Sequence, residues 1–144
     1  MRGEYAGDID VHEAWRILKE DQRSAMIDVR TEAEWAFVGL PDISVTGRPL
    51  LKEEWQRFPG ATANPTFADA AARKLEAAGI GHDAPVLCIC RSGQRSAAAA
   101  EALTQRGYGR CFNVAGGFEG PLSAAGQRGT TAGWKAASLP WRQS

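Results

Sequence analysis

The run from Pro85 to Gln105 constrains the fold of this chain more than any other part of it. Pro85-Val86-Leu87-Cys88-Ile89 is apolar without interruption. A strand with one wet face alternates polar and apolar side chains, whereas a strand apolar at every position is covered on both faces, as in a parallel sheet layered between helices. The polar turn Cys90-Arg91-Ser92-Gly93-Gln94-Arg95-Ser96 follows, and the alanine-rich stretch Ser96 to Gln105 then reads as a helix stopped by Gly107. Strand, turn and helix in direct succession are half of a crossover unit, and they predict an α/β fold.

The rest of the chain keeps the same rhythm. Asp10-Val11-His12-Glu13 has the pattern of a capping box, and Val11, Ala14, Trp15 and Leu18 recur at helical spacing after it. Ala25 to Val29 reads as a strand. Thr31-Glu32-Ala33-Glu34 is a second capping-box pattern and opens a short helix to about Phe37. Asn64-Pro65 reads as the start of a helix through about Ala78, with proline at the first helical position and Gly79 as its stop. Cys111-Phe112-Asn113-Val114 is a further strand closed by Gly116-Gly117, and Trp134 to Leu139 reads as a last short helix. Two segments resist assignment, 42–64, where Val45 and Leu50-Leu51 suggest strand pieces, and 118–132. No repeat or linker divides the 144 residues, so residues 1–144 are expected to form one domain.

Composition removes several function classes. Lys plus Arg and Asp plus Glu each number 17, so no global field favours nucleic acid. Arg48, Lys52 and Arg57 have no aromatic stacking platform beside them and read as a solvated face. No apolar run approaches the ~20 residues that span a bilayer, and Met1 to Asp10 is too polar for a signal peptide. Three cysteines are too few for a disulfide framework, which suits a reducing cytoplasm. His12 and His82 are far apart and share no zinc-ligand spacing with the cysteines, so neither metal nor cofactor is expected.

Chemistry concentrates in the polar turn. A thiol at Cys90 meets backbone N–H groups of the turn and of the helix's first turn, and such concave arrangements stabilise anions. Arg91 and Arg95 add positive charge, Gly93 permits φ > 0, Ser92 and Ser96 offer hydroxyl donors, and Ser96 is also placed to cap the helix. Together these favour the thiolate and make a nucleophile. If the sheet is parallel, the strand ends at Asp28-Val29-Arg30, Cys90-Arg91 and Gly116-Gly117 share one edge, where ligands of such sheets bind. Asp28 either orients an arginine or the Cys90 loop, or caps the next turn. Arg30 and Glu34 have the spacing of a structural ion pair, and Trp35 is placed to wall a pocket. Cys88, of the same strand parity as Cys90, and Cys111 read as core.

The heptad Cys90 to Ser96 resembles the active-site loop of the rhodanese family. Asp28-Val29-Arg30 with Glu34-Trp35 is similar to that family's strand-end element, Val114-Ala115-Gly116-Gly117-Phe118 to its glycine pair, and Gly133-Trp134-Lys135-Ala136-Ala137-Ser138-Leu139-Pro140 to its terminal segment. The resemblance implies a mainly parallel five-stranded sheet flanked by helices on both faces. It implies a sulfurtransferase in which Cys90 takes sulfur from a small anionic donor such as thiosulfate, carries it as a persulfide, and passes it to a thiol or other thiophilic acceptor, a protein included. The N–H groups of Arg91, Ser92, Gly93, Gln94 and Arg95 would cradle the persulfide and the guanidinium groups would bind the donor. The histidine that rhodaneses carry after the strand-end element is absent from Phe37-Val38-Gly39-Leu40-Pro41-Asp42.

Two alternatives stand beside that reading. Cysteine phosphatases and arsenate reductases on the same fold use a wider loop, with arginine one position further from cysteine than Arg95 is from Cys90. They also place a histidine before the cysteine, where this chain has Ile89. The other alternative is a non-catalytic, regulatory rhodanese-like module, against which the retained Cys90 argues.

Overall fold

A computed structural model of the chain describes residues 4–57 and 62–143. Its centre is a five-stranded sheet built from β1 (Gly7–Ile9), β2 (Ala25–Asp28), β4 (Leu50–Lys52), β7 (Val86–Ile89) and β8 (Cys111–Val114). Their spatial order is β1-β8-β7-β2-β4, and every pairing is parallel. The apolar run therefore forms the middle strand, the only place in a five-stranded sheet with two neighbours on each side. That position explains why none of its residues is polar.

Helices cover both faces. On one face α3 (Phe67–Ala77) and α4 (Gln94–Gln105) bury Phe67, Ala71, Leu75, Ala99, Ala100 and Leu103 against Ile27, Val86, Cys88 and Cys111. On the other, α1 (Val11–Glu20) packs Val11, Ala14 and Leu18 against Met26, Leu87, Ile89 and Val114, with Phe118 and Trp134 completing the layer. Alternate residues of each strand thus feed two separate cores, as a period of two requires. Each fully buried leucine or isoleucine contributes about 1.5–3 kcal/mol, so neither layer is dispensable.

Several local expectations meet the structure differently. Asp10 caps α1 by accepting from Glu13 N–H, while the full reciprocal box forms only at Thr31 and Glu34, opening α2 (Glu32–Phe37). Helix α3 starts at Phe67, because the Asn64 side chain accepts from Thr66 N–H and makes a turn of the residues before it. Helix α4 starts at Gln94 with Gly93 as its N-cap (φ 111°), so Ser96 does not cap it. Trp134 to Leu139 is a series of turns and not a helix. Strand β1 was not legible: it is short, lies at the edge, and carries the polar Asp8 in its centre.

Two small pairings lie outside the main sheet, and one of them falls within the irregular segment 42–64. β3 (Leu40–Pro41) pairs antiparallel with β9 (Trp141–Arg142), and β5 (Gln56–Arg57) pairs with β6 (Thr62–Ala63). Val45 lies in a 3₁₀ turn at 44–46, whereas Leu50-Leu51 does join the main sheet. Pro59 and Gly60 lie outside the described residues.

Candidate active site

Because all five central strands are parallel, the ends of β2, β7 and β8 open onto one edge. Cys90 follows directly on the middle strand and is buried. Its Sγ lies 3.1 Å from Gly93 N and 3.3 Å from Ser96 N, both donating, and 3.1 Å from Ser96 Oγ. Helix α4 begins inside this turn, so its first N–H groups have no preceding carbonyl to satisfy them. The N–H groups of Arg91, Ser92, Gln94 and Arg95 have no hydrogen-bond partner among the described residues. Of the N–H groups in and after the turn, those of Gly93 and Ser96 lie against Sγ.

The residues that follow the glycine pair hold the turn from behind. Phe118 N donates to Cys90 O at 2.8 Å, and Glu119 N and Gly120 N both donate to Arg91 O at 3.0 Å. Gly117 has φ 63°, and a Cβ there would stand 2.5 Å from Cys90 O. Only glycine allows the two backbones to approach this closely. The 118–132 segment therefore begins as the back wall of the reactive turn.

Strand-end residues sort into two ion pairs, and the pairing differs from the one spacing suggested. Arg30 does not pair with Glu34. Its Nε and Nη2 grip the Asp28 carboxylate (2.9 and 2.6 Å), Nη2 also donates to Gly39 O at 2.8 Å, and the guanidinium lies 4.3 Å from the Phe118 ring centroid. Both side chains of this pair are 0% exposed, and Arg30 Nη1 has no hydrogen-bond partner among the described residues. Asp28 has the strand parity of Met26, so the pair sits on the sheet face opposite Cys90 and fixes the turn after α2 without touching the sulfur. Asp28 thus holds both the guanidinium of Arg30 and its backbone N–H, the latter at 3.1 Å across the turn.

Glu34 instead reaches Arg95 across the site in a two-pronged contact, 2.7 and 2.9 Å. Burial alone pushes the Glu34 carboxyl up. The Arg95 hydrogen bonds and charge, helped by Thr31 N–H and the more distant Arg30, outweigh it and hold the carboxyl below its usual range. Arg95 is therefore largely neutralised by Glu34, whereas Arg91 is exposed and has no hydrogen bond or ion pair to its side chain among the described residues. Spacing within one helix pointed to Arg30; the contact made belongs to a residue brought in by a different strand. Trp35 is buried, with Lys52 Nζ 5.4 Å from its ring centroid. Gln94 lies exposed on the first turn of α4 and Ser92 is half-buried.

The other thiols are core residues. Burial pushes Cys88 well above the ordinary thiol range and Cys111 up to about 12, so neither competes as a nucleophile. All three cysteines are free. Among the described residues no group of His, Cys, Asp or Glu is arranged to hold a metal ion, and no helix is long and apolar enough to cross a membrane.

Sequence reasoning did not single out Asn113 and Asp8. Asn113, 5% exposed in β8, accepts from Ser96 Oγ at 2.6 Å and donates to Asp8 Oδ1 at 2.9 Å. The available signal was an amide in the middle of an otherwise apolar strand, a placement that demands partners.

Comparison with known proteins decides the family. A rhodanese-like domain matches residues 10–124. The chain belongs to the rhodanese-like family. It is 33% identical over 129 residues to the uncharacterized protein RP600 homolog of Rickettsia rickettsii, covering 90% of this chain and 91% of that one. It is 26% identical over 113 residues to the thiosulfate sulfurtransferase GlpE of Actinobacillus pleuropneumoniae, covering 78% and 83%. The crystal structure of Rv0390 from M. tuberculosis superposes with a TM-score of 0.85 at 45% identity, covering 98% of this chain and all of that one. The polysulfide-sulfur transferase homodimer of Wolinella succinogenes shares the fold, with a TM-score of 0.61 at 19% identity over 94% of this chain and 77% of that one. The all-parallel five-stranded sheet with helices on both faces is the rhodanese-like arrangement expected from the sequence.

Proposed function

We propose that this rhodanese-like protein is a sulfurtransferase whose Cys90 carries sulfur as a persulfide. One observation carries the reading: Cys90 Sγ already accepts from Gly93 N and Ser96 N, inside a turn whose remaining N–H groups have no partner among the described residues. A second, anionic sulfur attached to Sγ suits those donors, because oriented backbone dipoles stabilise charge with no reorganisation. The kinship with a thiosulfate sulfurtransferase supports the same class of reaction.

The chemistry follows in two displacements. Cys90, having released its proton to solvent, attacks the sulfane sulfur of thiosulfate. The new S–S bond forms as the old one breaks, and sulfite leaves with the bonding pair. The negative charge then resides on the outer sulfur. A thiolate or cyanide acceptor attacks that sulfur, takes it, and returns Cys90 as thiolate. Arg91, exposed and without a side-chain partner among the described residues, is the cation suited to meet the anionic donor, while Arg95 holds the turn against α2 through Glu34. Free, buried thiols suit a reducing compartment such as the cytoplasm.

Mass spectrometry after incubation with thiosulfate should find one added sulfur on the peptide containing Cys90. Cys90→Ser should lose both that sulfur and transfer to cyanide, while Cys88→Ser and Cys111→Ser retain them. A protein that never acquires sulfur and instead hydrolyses aryl phosphates efficiently would replace this reading with a phosphatase one.

A further inference from the structure

The buried hydrogen bonds behind Cys90 form a continuous chain to the surface. Ser96 Oγ, wholly buried, lies 3.1 Å from Cys90 Sγ and 2.6 Å from Asn113 Oδ1. Asn113 Nδ2 donates to Asp8 Oδ1 at 2.9 Å, and Tyr5 OH donates to the same oxygen at 2.7 Å. Strand register makes the chain possible, since Asp8 stands opposite Asn113, and Asn113 opposite Cys88, one pleat below Cys90.

Counting protons fixes the direction of each bond. An ionised carboxylate only accepts, so Asp8 obliges Asn113 to present its amide N–H to it. Asn113 Oδ1 is thereby turned towards Ser96, and it too only accepts. The hydroxyl of Ser96 has a single hydrogen, and the 2.6 Å contact places it on Asn113. What faces Cys90 Sγ is then a hydroxyl lone pair. That arrangement suits an S–H donating to Ser96 Oγ and gives nothing to a thiolate.

We infer that Asp8 and Asn113 are positioning residues which hold the Ser96 proton away from Cys90, leaving the backbone N–H groups as the hydrogen-bond donors to Sγ. This rests on Cys90 being the sulfur carrier. A thiolate deprived of one donor is more basic and more nucleophilic, since nucleophilicity falls as a thiol becomes more acidic. Once sulfur is loaded, the charge sits on the outer atom and Sγ becomes a neutral, disulfide-like sulfur that needs no hydroxyl donor. The relay therefore fits the persulfide state unchanged and penalises the free thiolate.

Other charges act on the same sulfur. Arg95 and its partner Glu34 stand at the turn, Arg91 is exposed beside it, Asp28 lies beyond the sheet, and Cys88 is buried one pleat deeper and stays protonated. None of these contacts Ser96 Oγ, so the relay can be separated from them by variants. Asp8 is exposed and held by Tyr5 and Asn113, with its carboxyl below the usual range because of their hydrogen bonds.

The test is the rate of iodoacetamide alkylation of the intact protein against pH. Asp8→Ala frees the Asn113 amide to turn and donate to Ser96, whose hydroxyl then donates to sulfur. The alkylation inflection should move about 0.5–1 pH unit lower, as for one hydrogen bond gained by the charged form. Asp8→Val, which also lacks an acceptor and suits a strand, should move it the same way, and serves if the alanine variant folds poorly. In a Ser96→Ala background the Asp8 substitutions should add no shift. An unchanged inflection in the Asp8 variants overturns the inference, and so does a shift that persists without Ser96, because Asp8 would then act through its charge alone. Alkylation reads the thiol whether or not sulfur is transferred. A protein with the expected shifts that never takes sulfur from thiosulfate would overturn the proposed function and leave the relay in place.

Discussion

Replacing Glu34 by glutamine keeps the side chain's shape and removes its charge, and the structure sets the size of the effect. The wild-type pair has two N–H···O contacts of 2.7 and 2.9 Å, with Arg95 and Glu34 side chains 17% and 19% exposed. A fully exposed pair contributes ~0.2–1 kcal/mol and breaking a fully buried one costs ~3–5 kcal/mol. With most of both side chains out of water, a loss of about 1.5–3 kcal/mol is expected, the range for hydrogen bonds to charged groups. The sign with pH follows from the depressed carboxyl. Folding favours the ionised form, so the stabilisation is fully present above the ordinary value of 4.5 and is lost as pH falls through the lower folded value. Urea unfolding of wild type and Glu34→Gln should therefore differ by the full amount near neutrality, and the two curves should converge as the solution is acidified below about pH 4. A neutral-pH difference under about 0.5 kcal/mol, or one that stays constant into acid, would refute the reasoning.

Two further substitutions separate packing from donor binding. Gly117→Ala would place a Cβ 2.5 Å from Cys90 O and 2.6 Å from Arg91 C in a residue with φ 63°. The conformation alone costs about 1–2 kcal/mol and neither backbone atom can yield without moving the turn, so stability and sulfur transfer should fall together; a variant that keeps both refutes the close approach. Arg91→Ala removes an exposed side chain with no partner among the described residues, so unfolding should change by less than about 0.5 kcal/mol while KM for thiosulfate rises several-fold. An unaltered KM would show that this guanidinium does not meet the donor.

What the sequence determined by itself is local or periodic. The apolar run at 85–89 demanded a strand covered on both faces, and it is the middle strand of the parallel sheet. The polar turn after it, with glycine at Gly93 and a helix behind, announced a thiol held by backbone N–H groups, because those donors follow from the chain direction alone. The Thr31–Glu34 capping box was equally legible, since both partners lie within one turn. Contacts between distant segments were decided only by tertiary structure. Glu34 at one helical turn from Arg30 had a local partner on paper, yet Arg30 is drawn to Asp28 on the far face and Arg95 arrives on α4 to take its place. Helix α3 began later than Asn64-Pro65 suggested, because the Asn64 side chain turned back on Thr66. Strand β1 carries too few apolar residues to declare itself, and it forms because β8 offers an edge to pair with. That pairing sets Asp8 beside Asn113 and so completes the chain of hydrogen bonds behind Cys90. A sequence specifies which groups can donate, accept or carry charge; which of them meet depends on strand order and register, and those are set by burying two apolar layers at once.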